Sequence, residues 1–132
     1  MGDSTVSVCA VFMEGDTSLV GLRHYGPHKV LWTIPGGRCN DGETLENALR
    51  REVVEEIGVQ DLAIVSYLGQ VSGYKEGDLV HIFLCETSEI LQLKEPEKFS
   101  EWRFAKVSEV KDTFINLGVL EIIDKIIAQP SK

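Results

Sequence analysis

The chain has 132 residues, 43% of them hydrophobic and 26% charged, the composition of one soluble globular domain covering residues 1–132. A formal net charge of −8 argues against a polynucleotide or an anionic membrane as the main partner. The three cysteines are an odd number without metal-ligand spacing, and neither a signal peptide nor a long apolar run is seen, so we expect a cytoplasmic protein without membrane spans.

The N-terminal part of the chain has the alternating, valine-rich pattern of β-strands. Residues 5–12 and 18–23 predict two strands, which a turn at residues 14–16 joins into a hairpin. Residues 31–34 predict a third, short strand, because the residue before Pro35 favours an extended backbone. The chain therefore begins as β-structure.

The next segment predicts a helix that follows a glycine turn. Residues 35–37 predict a tight turn whose backbone can approach a ligand closely, since glycine has no Cβ. Thr44 is a suitable N-cap for the helix, and Gly58 is a suitable residue to end it.

The C-terminal half continues the alternation of strands and helices. Strands are predicted at residues 62–71, 79–86 and 102–104, a loop at 92–100, and an amphipathic helix at 116–128. This order of elements predicts an α/β fold with a mixed central sheet between helical layers.

Three glutamates near the end of the predicted central helix suggest a metal site. Glu52, Glu55 and Glu56 project within one arc of about 100°. Like charges this close repel one another unless a cation lies among them, and carboxylate oxygens select Mg²⁺ or Mn²⁺. The alternative is a solvated acidic face, but the carboxylates border the apolar stripe of the helix instead of opposing it. That stripe consists of Leu49, Val53 and Ile57.

The spacing of residues 37–59 resembles the signature box of the Nudix hydrolases, in the form found in MutT-like members. The residues that carry the resemblance are Gly37, Glu43, Arg51, Glu52, Val53, Glu55, Glu56, Gly58 and Val59. The resemblance implies an α/β/α sandwich and the hydrolysis of a nucleoside diphosphate linked to another group. It extends more loosely over the rest of the chain, where only the order of elements matches.

The resemblance also implies roles for individual residues. Glu52, Glu55 and Glu56 match the metal-binding and catalytic glutamates of the family, and the backbone carbonyl of Gly36 matches a further ligand. The expected cofactor is Mg²⁺, with Mn²⁺ as a substitute.

The general base is left open between Glu52 and a carboxylate outside the box. Glu97 and Glu101 are the candidates in the loop before Trp102, and Glu97 is favoured by its spacing from that tryptophan, so it joins the expected metal ligands. The alternative for either is a solvated loop glutamate.

Glu43 and Arg51 are interpreted as residues that orient the helix and its ligands. Arg51 precedes Glu55 by four residues, so its guanidinium can hold that carboxylate's rotamer.

Four residues are candidates for substrate binding, each with an alternative. Arg23 and Arg38 lie near the expected path of the phosphates but could be surface arginines. Asn116 resembles the asparagine that reads an oxidised guanine in MutT-type enzymes, and it could equally be the N-cap of the last helix. Tyr74 lies near the tyrosine position of dinucleoside polyphosphate hydrolases, and it also falls in a hairpin tip.

The leading hypothesis is a pyrophosphohydrolase that converts a nucleoside triphosphate, including oxidised purine forms, to a nucleoside monophosphate and pyrophosphate. The first alternative is the hydrolysis of a dinucleoside polyphosphate, ADP-ribose or a nucleotide sugar. A non-catalytic nucleotide sensor is the alternative from another class. The expected partner is a small nucleotide, and the sequence leaves monomer and homodimer open.

Overall fold

The computed structural model describes residues 5–128, so the ends of the predicted domain, 1–4 and 129–132, lie outside the described residues. The strands are β1 (Val6–Glu14), β2 (Thr17–His24), β3 (Val30–Thr33), β4 (Gly36–Arg38), β5 (Ala63–Ser72), β6 (Leu79–Glu86) and β7 (Phe99–Ala105). The helices are α1 (Leu45–Ile57), α2 (Val107–Val110) and α3 (Leu117–Ala128), and a 3-10 turn covers Lys111–Thr113. None of these helices is long and apolar enough to cross a membrane.

The strands form a mixed sheet with β1 at its centre. One edge of β1 runs parallel to β6, and β6 pairs antiparallel with β5. The other edge pairs antiparallel with β4 near its start and with β2 at its end, as the predicted hairpin requires. β2 continues the sheet by pairing antiparallel with β3 and β7. The predicted mixed sheet is confirmed.

Successive residues of β1 face opposite sides of the sheet and so contribute to two cores. Val8, Ala10 and Phe12 pack in a cluster with the apolar face of α1. Cys9 and Val11 pack in a second cluster with α3. This alternation follows from the period of two in a strand, and it places the sheet between helices on both faces. The predicted α/β/α arrangement is confirmed.

α1 begins and ends where the sequence predicts. The Thr44 hydroxyl oxygen accepts a hydrogen bond from the Asn47 N–H at 3.1 Å, which satisfies one of the free donors of the first turn. Gly58 adopts the left-handed conformation at φ 73°, and its N–H donates to the Val54 carbonyl at 3.1 Å. Thr44 and Gly58 thus set where α1 begins and ends, and with it the positions of the three carboxylates along the helix.

The glycine segment corrects one prediction. Residues 35–37 were expected to form a tight turn, whereas Gly36 and Gly37 lie in β4 and pair with β1. A Cβ on Gly36 would lie 2.1 Å from the Val8 carbonyl oxygen, so only glycine lets the two backbones pair this closely.

Several boundaries also differ from the predictions. The loop expected at 92–100 ends at residue 98, because β7 begins at Phe99, which pairs with Arg23 of β2. α2 and the 3-10 turn have no clear sequence signal, because they are short and contain few apolar residues. The last helix begins one residue later than predicted, after Asn116.

Candidate active site

A cavity of about 1150 Å³ opens beside the C-terminal half of α1, between the glycine segment, β3, the β5–β6 loop and the start of α3. The carboxylates that line it are Glu52 and Glu56. The cationic side chains that line it are Arg23, Lys29, Arg38 and Lys98. Its apolar wall includes Leu31, Ile34, Val80, Phe114 and Leu117. One cavity therefore has an acidic part, a cationic part and an apolar part.

The glycine segment packs directly on the carboxylates. The Gly36 N–H donates to Glu56 Oε1 at 2.9 Å. A Cβ on Gly37 would lie 2.4 Å from Glu52 Cδ, which is closer than any side chain can approach. The lack of a Cβ on Gly37 therefore allows β4 to contact Glu52 through its backbone, while the Gly36 N–H bonds Glu56.

Arg51 connects the carboxylates of this region. Its Nε and Nη2 donate to the two carboxylate oxygens of Glu43 at 2.8 and 2.9 Å. Its Nη1 lies 3.0 Å from Glu52 Oε2 and 3.4 Å from Glu55 Oε1. Hydrogen bonds from Arg51 and from the Asn40 N–H lower the pKa of Glu43 to about 2. The fork geometry of the guanidinium thus fixes several anions at once.

Glu56 is buried, and the charge of Arg23 only partly offsets the effects that raise its pKa. Only 4% of the residue is exposed, and this burial raises its pKa to about 8 despite the lowering by the Gly36 N–H. The charges of Glu52 and Glu95 also raise the pKa of Glu56. Burial raises the pKa of Glu52 as well, and Arg51 opposes that shift. A cation placed between these carboxylates would relieve both effects.

The donor set fits a hard divalent ion in its chemistry, since Glu52 and Glu56 offer carboxylate oxygens to one cavity. Glu55 differs from them because its side chain is 46% exposed and paired with Arg51. Within residues 5–128, no group of three His, Cys, Asp or Glu side chains is already gathered around a common point. The metal-ligand roles of Glu52, Glu55, Glu56 and the Gly36 carbonyl therefore stay predictions.

In the loop before β7, neither Glu95 nor the sequence-favoured Glu97 lines the cavity, but the two differ in their effect on the carboxylates of α1. The charge of Glu95 acts on both Glu52 and Glu56, whereas Glu97 is exposed and Glu101 pairs with Arg103 on the sheet at 3.8 Å. Glu95 is positioned because the N–H groups of residues 92 and 94 donate to the last carbonyls of α1. No local sequence signal distinguishes Glu95 from Glu97.

Arg23 and Arg38 both line the cavity, as the prediction of substrate contacts requires. The Arg23 guanidinium lies over the rings of Tyr25 and Phe99, at 5.0 and 5.5 Å from their centroids. Its Nε is buried and has no hydrogen-bond partner among the described residues. Arg38 Nη2 lies 3.2 Å from Asp78 Oδ2. Asp78 lies 40 residues from Arg38 in the sequence, so no local sequence signal predicts this pair.

Tyr74 and Asn116 also line the cavity. Tyr74 is 85% exposed at its mouth. The Asn116 Oδ1 accepts from the Gly118 N–H at 3.0 Å, which is the contact of an N-cap, and its Nδ2 donates to the Ser72 carbonyl at 3.0 Å. The capping contact is therefore present, and reading of a base by Asn116 stays a prediction.

The three cysteines are free and buried. Cys39 is only 7% exposed.

Comparison with known proteins agrees with this geometry. The NUDIX domain family matches residues 3–125, so the chain belongs to the NUDIX family. An RNA pyrophosphohydrolase of Caulobacter vibrioides is 29% identical over 129 residues, a match that covers 79% of this chain and 73% of that protein. Together these matches support a Nudix hydrolase, and members of the family generally use a divalent metal.

Solved structures show the same fold at low sequence identity. A NUDIX hydrolase from Nitrosomonas europaea has a TM-score of 0.77 at 19% identity and covers 93% of this chain and 88% of its own. An Ap4A hydrolase of C. elegans, solved in a binary complex, has a TM-score of 0.73 at 20% identity. The match covers 93% of this chain and 95% of that one. These likenesses concern the fold alone.

Proposed function

We propose that the protein hydrolyses a nucleoside triphosphate, including oxidised purine forms, to a nucleoside monophosphate and pyrophosphate in the presence of Mg²⁺. The observation that carries this proposal is the arrangement of one cavity, in which buried carboxylates, cationic side chains and an apolar wall meet. A nucleotide has matching parts, because its phosphates need cations while its base suits an apolar surface.

The acidic part would hold the metal. Glu52, Glu55, Glu56 and the Gly36 carbonyl are the proposed ligands, and Mg²⁺ when bound supplies Lewis-acid neutralisation of the phosphate oxygens. Arg51 and Glu43 hold Glu52 in place through the hydrogen bonds described above. The arrangement accommodates this role because burial and repulsion already disfavour two unshielded charges at Glu52 and Glu56.

Proton transfer from the attacking water would need a carboxylate beside the metal ligands. Glu52 is one candidate, and the loop before β7 provides the other. We favour Glu95 over the sequence-predicted Glu97 in that loop, because its charge acts on Glu52 and Glu56. Exposure of Glu97 makes it the weaker candidate.

The cationic part would bind the polyphosphate and the apolar part the base. Arg23 offers a buried Nε donor, and Arg38 lies beside the glycine segment. Phe114, Leu117 and Tyr74 border the proposed base site, with Asn116 between them. Hydrolysis of a dinucleoside polyphosphate is the second candidate, because exposed Tyr74 could stack on a second base.

A hydrolysis screen with and without Mg²⁺ tests the proposal. The substrates are common and oxidised nucleoside triphosphates, ADP-ribose and diadenosine polyphosphates, with direct detection of pyrophosphate. Magnesium-dependent release of pyrophosphate from a triphosphate is the expected result. Cleavage of diadenosine polyphosphates alone would favour the second candidate. Ligand-induced thermal stabilisation without hydrolysis of any compound would indicate a nucleotide-binding sensor.

A further inference from the structure

Arg38 and the β5–β6 loop belong to segments 40 residues apart that meet at one wall of the cavity. The central strand β1 brings them together, because Ser7 pairs with Arg38 on one side and with Val80 on the other. The wall thus combines a cation from β4 with the loop that carries Tyr74. The residue that joins them is Asp78.

Asp78 is a buried carboxylate with partners on both sides. It is 7% exposed, and its Oδ2 accepts from Arg38 Nη2 at 3.2 Å and from the Lys75 N–H at 3.1 Å. Its carbonyl also accepts from the Gly73 N–H at 2.9 Å. A Cβ on Gly73 would lie 2.6 Å from the Asp78 Cβ, so the turn closes tightly around this residue.

Asp78 is not among the residues that line the cavity, whereas Arg38, Gly73 and Tyr74 are. Its carboxylate therefore lies behind the wall and supports it. A guanidinium can bond a carboxylate and a phosphate oxygen at the same time, since its donors diverge in a planar fork. Without such a support, a half-exposed arginine would lose more rotamer entropy on binding an anion.

We propose that Asp78 is a positioning residue, which holds Arg38 at the phosphate-binding part of the cavity and ties it to the turn that carries Tyr74. The inference rests on the proposed function in that it takes the anion to be the polyphosphate of a nucleotide. Asp78 acts through Arg38, and it touches neither substrate nor metal.

The first test measures binding instead of turnover. Inorganic tripolyphosphate with Mg²⁺ is titrated into the wild type and into Asp78→Asn, which keeps an acceptor for the Lys75 N–H. We expect the Kd of the variant to rise about tenfold, because a charge-assisted hydrogen bond to Arg38 is weakened. Glu76→Gln is the matched control, since it removes one charge from an exposed position of the same turn. We expect its Kd to match that of the wild type.

A double-mutant cycle with Arg38→Gln separates positioning from general destabilisation. In the Arg38→Gln background, we expect Asp78→Asn to add little to the loss of affinity. As a single variant, Asp78→Asn should raise KM about tenfold while kcat changes about twofold at most. Additive effects on Kd, or an Asp78→Asn variant that binds like Glu76→Gln, would overturn the inference. Arg38→Lys tests the same link if Asp78→Asn fails to fold, and wild-type affinity in that variant would also overturn it.

Failure of the proposed function gives a different pattern. A wild type that binds tripolyphosphate but hydrolyses no nucleotide would refute the hydrolysis, while the cycle on Kd would still decide the role of Asp78. A wild type that does not bind tripolyphosphate would overturn the inference itself.

Discussion

The acidic and the opposite walls of the cavity are built in different ways. The acidic wall comes from residues 36–56, where Arg51 bonds several groups at once and two glycines pack on the carboxylates. The opposite wall comes from the β5–β6 loop, which bonds Arg38 through Asp78, and from residues 114–117, which bond Ser72 through Asn116. The acidic wall shares one arginine among several ionic groups and so tolerates little change, whereas exposed positions of the opposite wall such as Tyr74 can vary in sequence while the chemistry is kept.

The largest effect is expected at the centre of the acidic wall. Glu56→Gln should lower kcat by roughly a thousandfold, because a neutral amide is a poor ligand for Mg²⁺ at the proposed metal site. Kinetics across a Mg²⁺ titration measure the change. Glu121→Gln, on an exposed position of α3, is the control and should keep wild-type kcat. Near wild-type turnover in Glu56→Gln would refute the metal site.

The next effect concerns the residue that connects this wall. Arg51→Lys should lower kcat by about 10- to 100-fold, since an ammonium cannot bond both oxygens of Glu43 and also reach Glu52. Arg103→Lys, on the exposed face of β7, serves as the control for the same chemical change. Equal kinetics of the two variants would show that Arg51 does not orient the site.

The metal-free protein should be less stable at higher pH because of Glu56. Its folded pKa is about 8 against an ordinary 4.5, so the folded state retains a proton that the unfolded state has lost between these values. Stability therefore falls as pH rises from 4.5 through 8, by up to about 1.4 kcal/mol per pH unit. Urea unfolding of EDTA-treated wild type and Glu56→Gln measures this difference.

The comparison of the wild type with Glu56→Gln isolates the contribution of the Glu56 carboxyl to the pH dependence of stability. The difference in unfolding free energy between Glu56→Gln and the wild type should grow with pH over that range. Added Mg²⁺ should raise the Tm of the wild type more at pH 8 than at pH 6. A difference that stays constant with pH would contradict the assignment of the buried charge.

The smallest effect is expected on the opposite wall. Asn116→Ala should lower the free energy of unfolding by about 1 kcal/mol through loss of the N-cap, with unchanged preference among bases. Both polar groups of the side chain already bond the protein, which favours the capping role. Thermal unfolding and kcat/KM for several triphosphates provide the measurement. A changed order of substrates would restore the base-reading role.

Features with local signals could be predicted from the sequence. Thr44 and Gly58 define the ends of α1, and the hairpin of β1 and β2 follows from a turn between two alternating segments. The spacing of Glu52 and Glu56 on one helix likewise placed both at one cavity. These features depend on residues close in sequence, whose geometry is fixed by backbone periodicity.

Features that depend on pairing between distant segments could not be predicted. The strand at Gly36–Arg38 exists because β1 offers it an edge, and the contact between Arg38 and Asp78 follows from that pairing. The charge of Glu95 acts on Glu52 and Glu56 because its loop bonds the end of α1. A single sequence contains no periodicity that reports such contacts.

The bonds between the β6–β7 loop and the end of α1 also limit where the chain can change its length. The N–H groups of Gln92 and Lys94 donate to the carbonyls of Ile57 and Glu56, so an insertion beside them would displace Glu95 from the site. The loop tip at 26–28 is exposed instead, and lengthening such a tip costs little free energy. This tip lies between the cavity residues Tyr25 and Lys29, so grafting a longer loop there is a route to new substrate range with the hydrolytic centre intact.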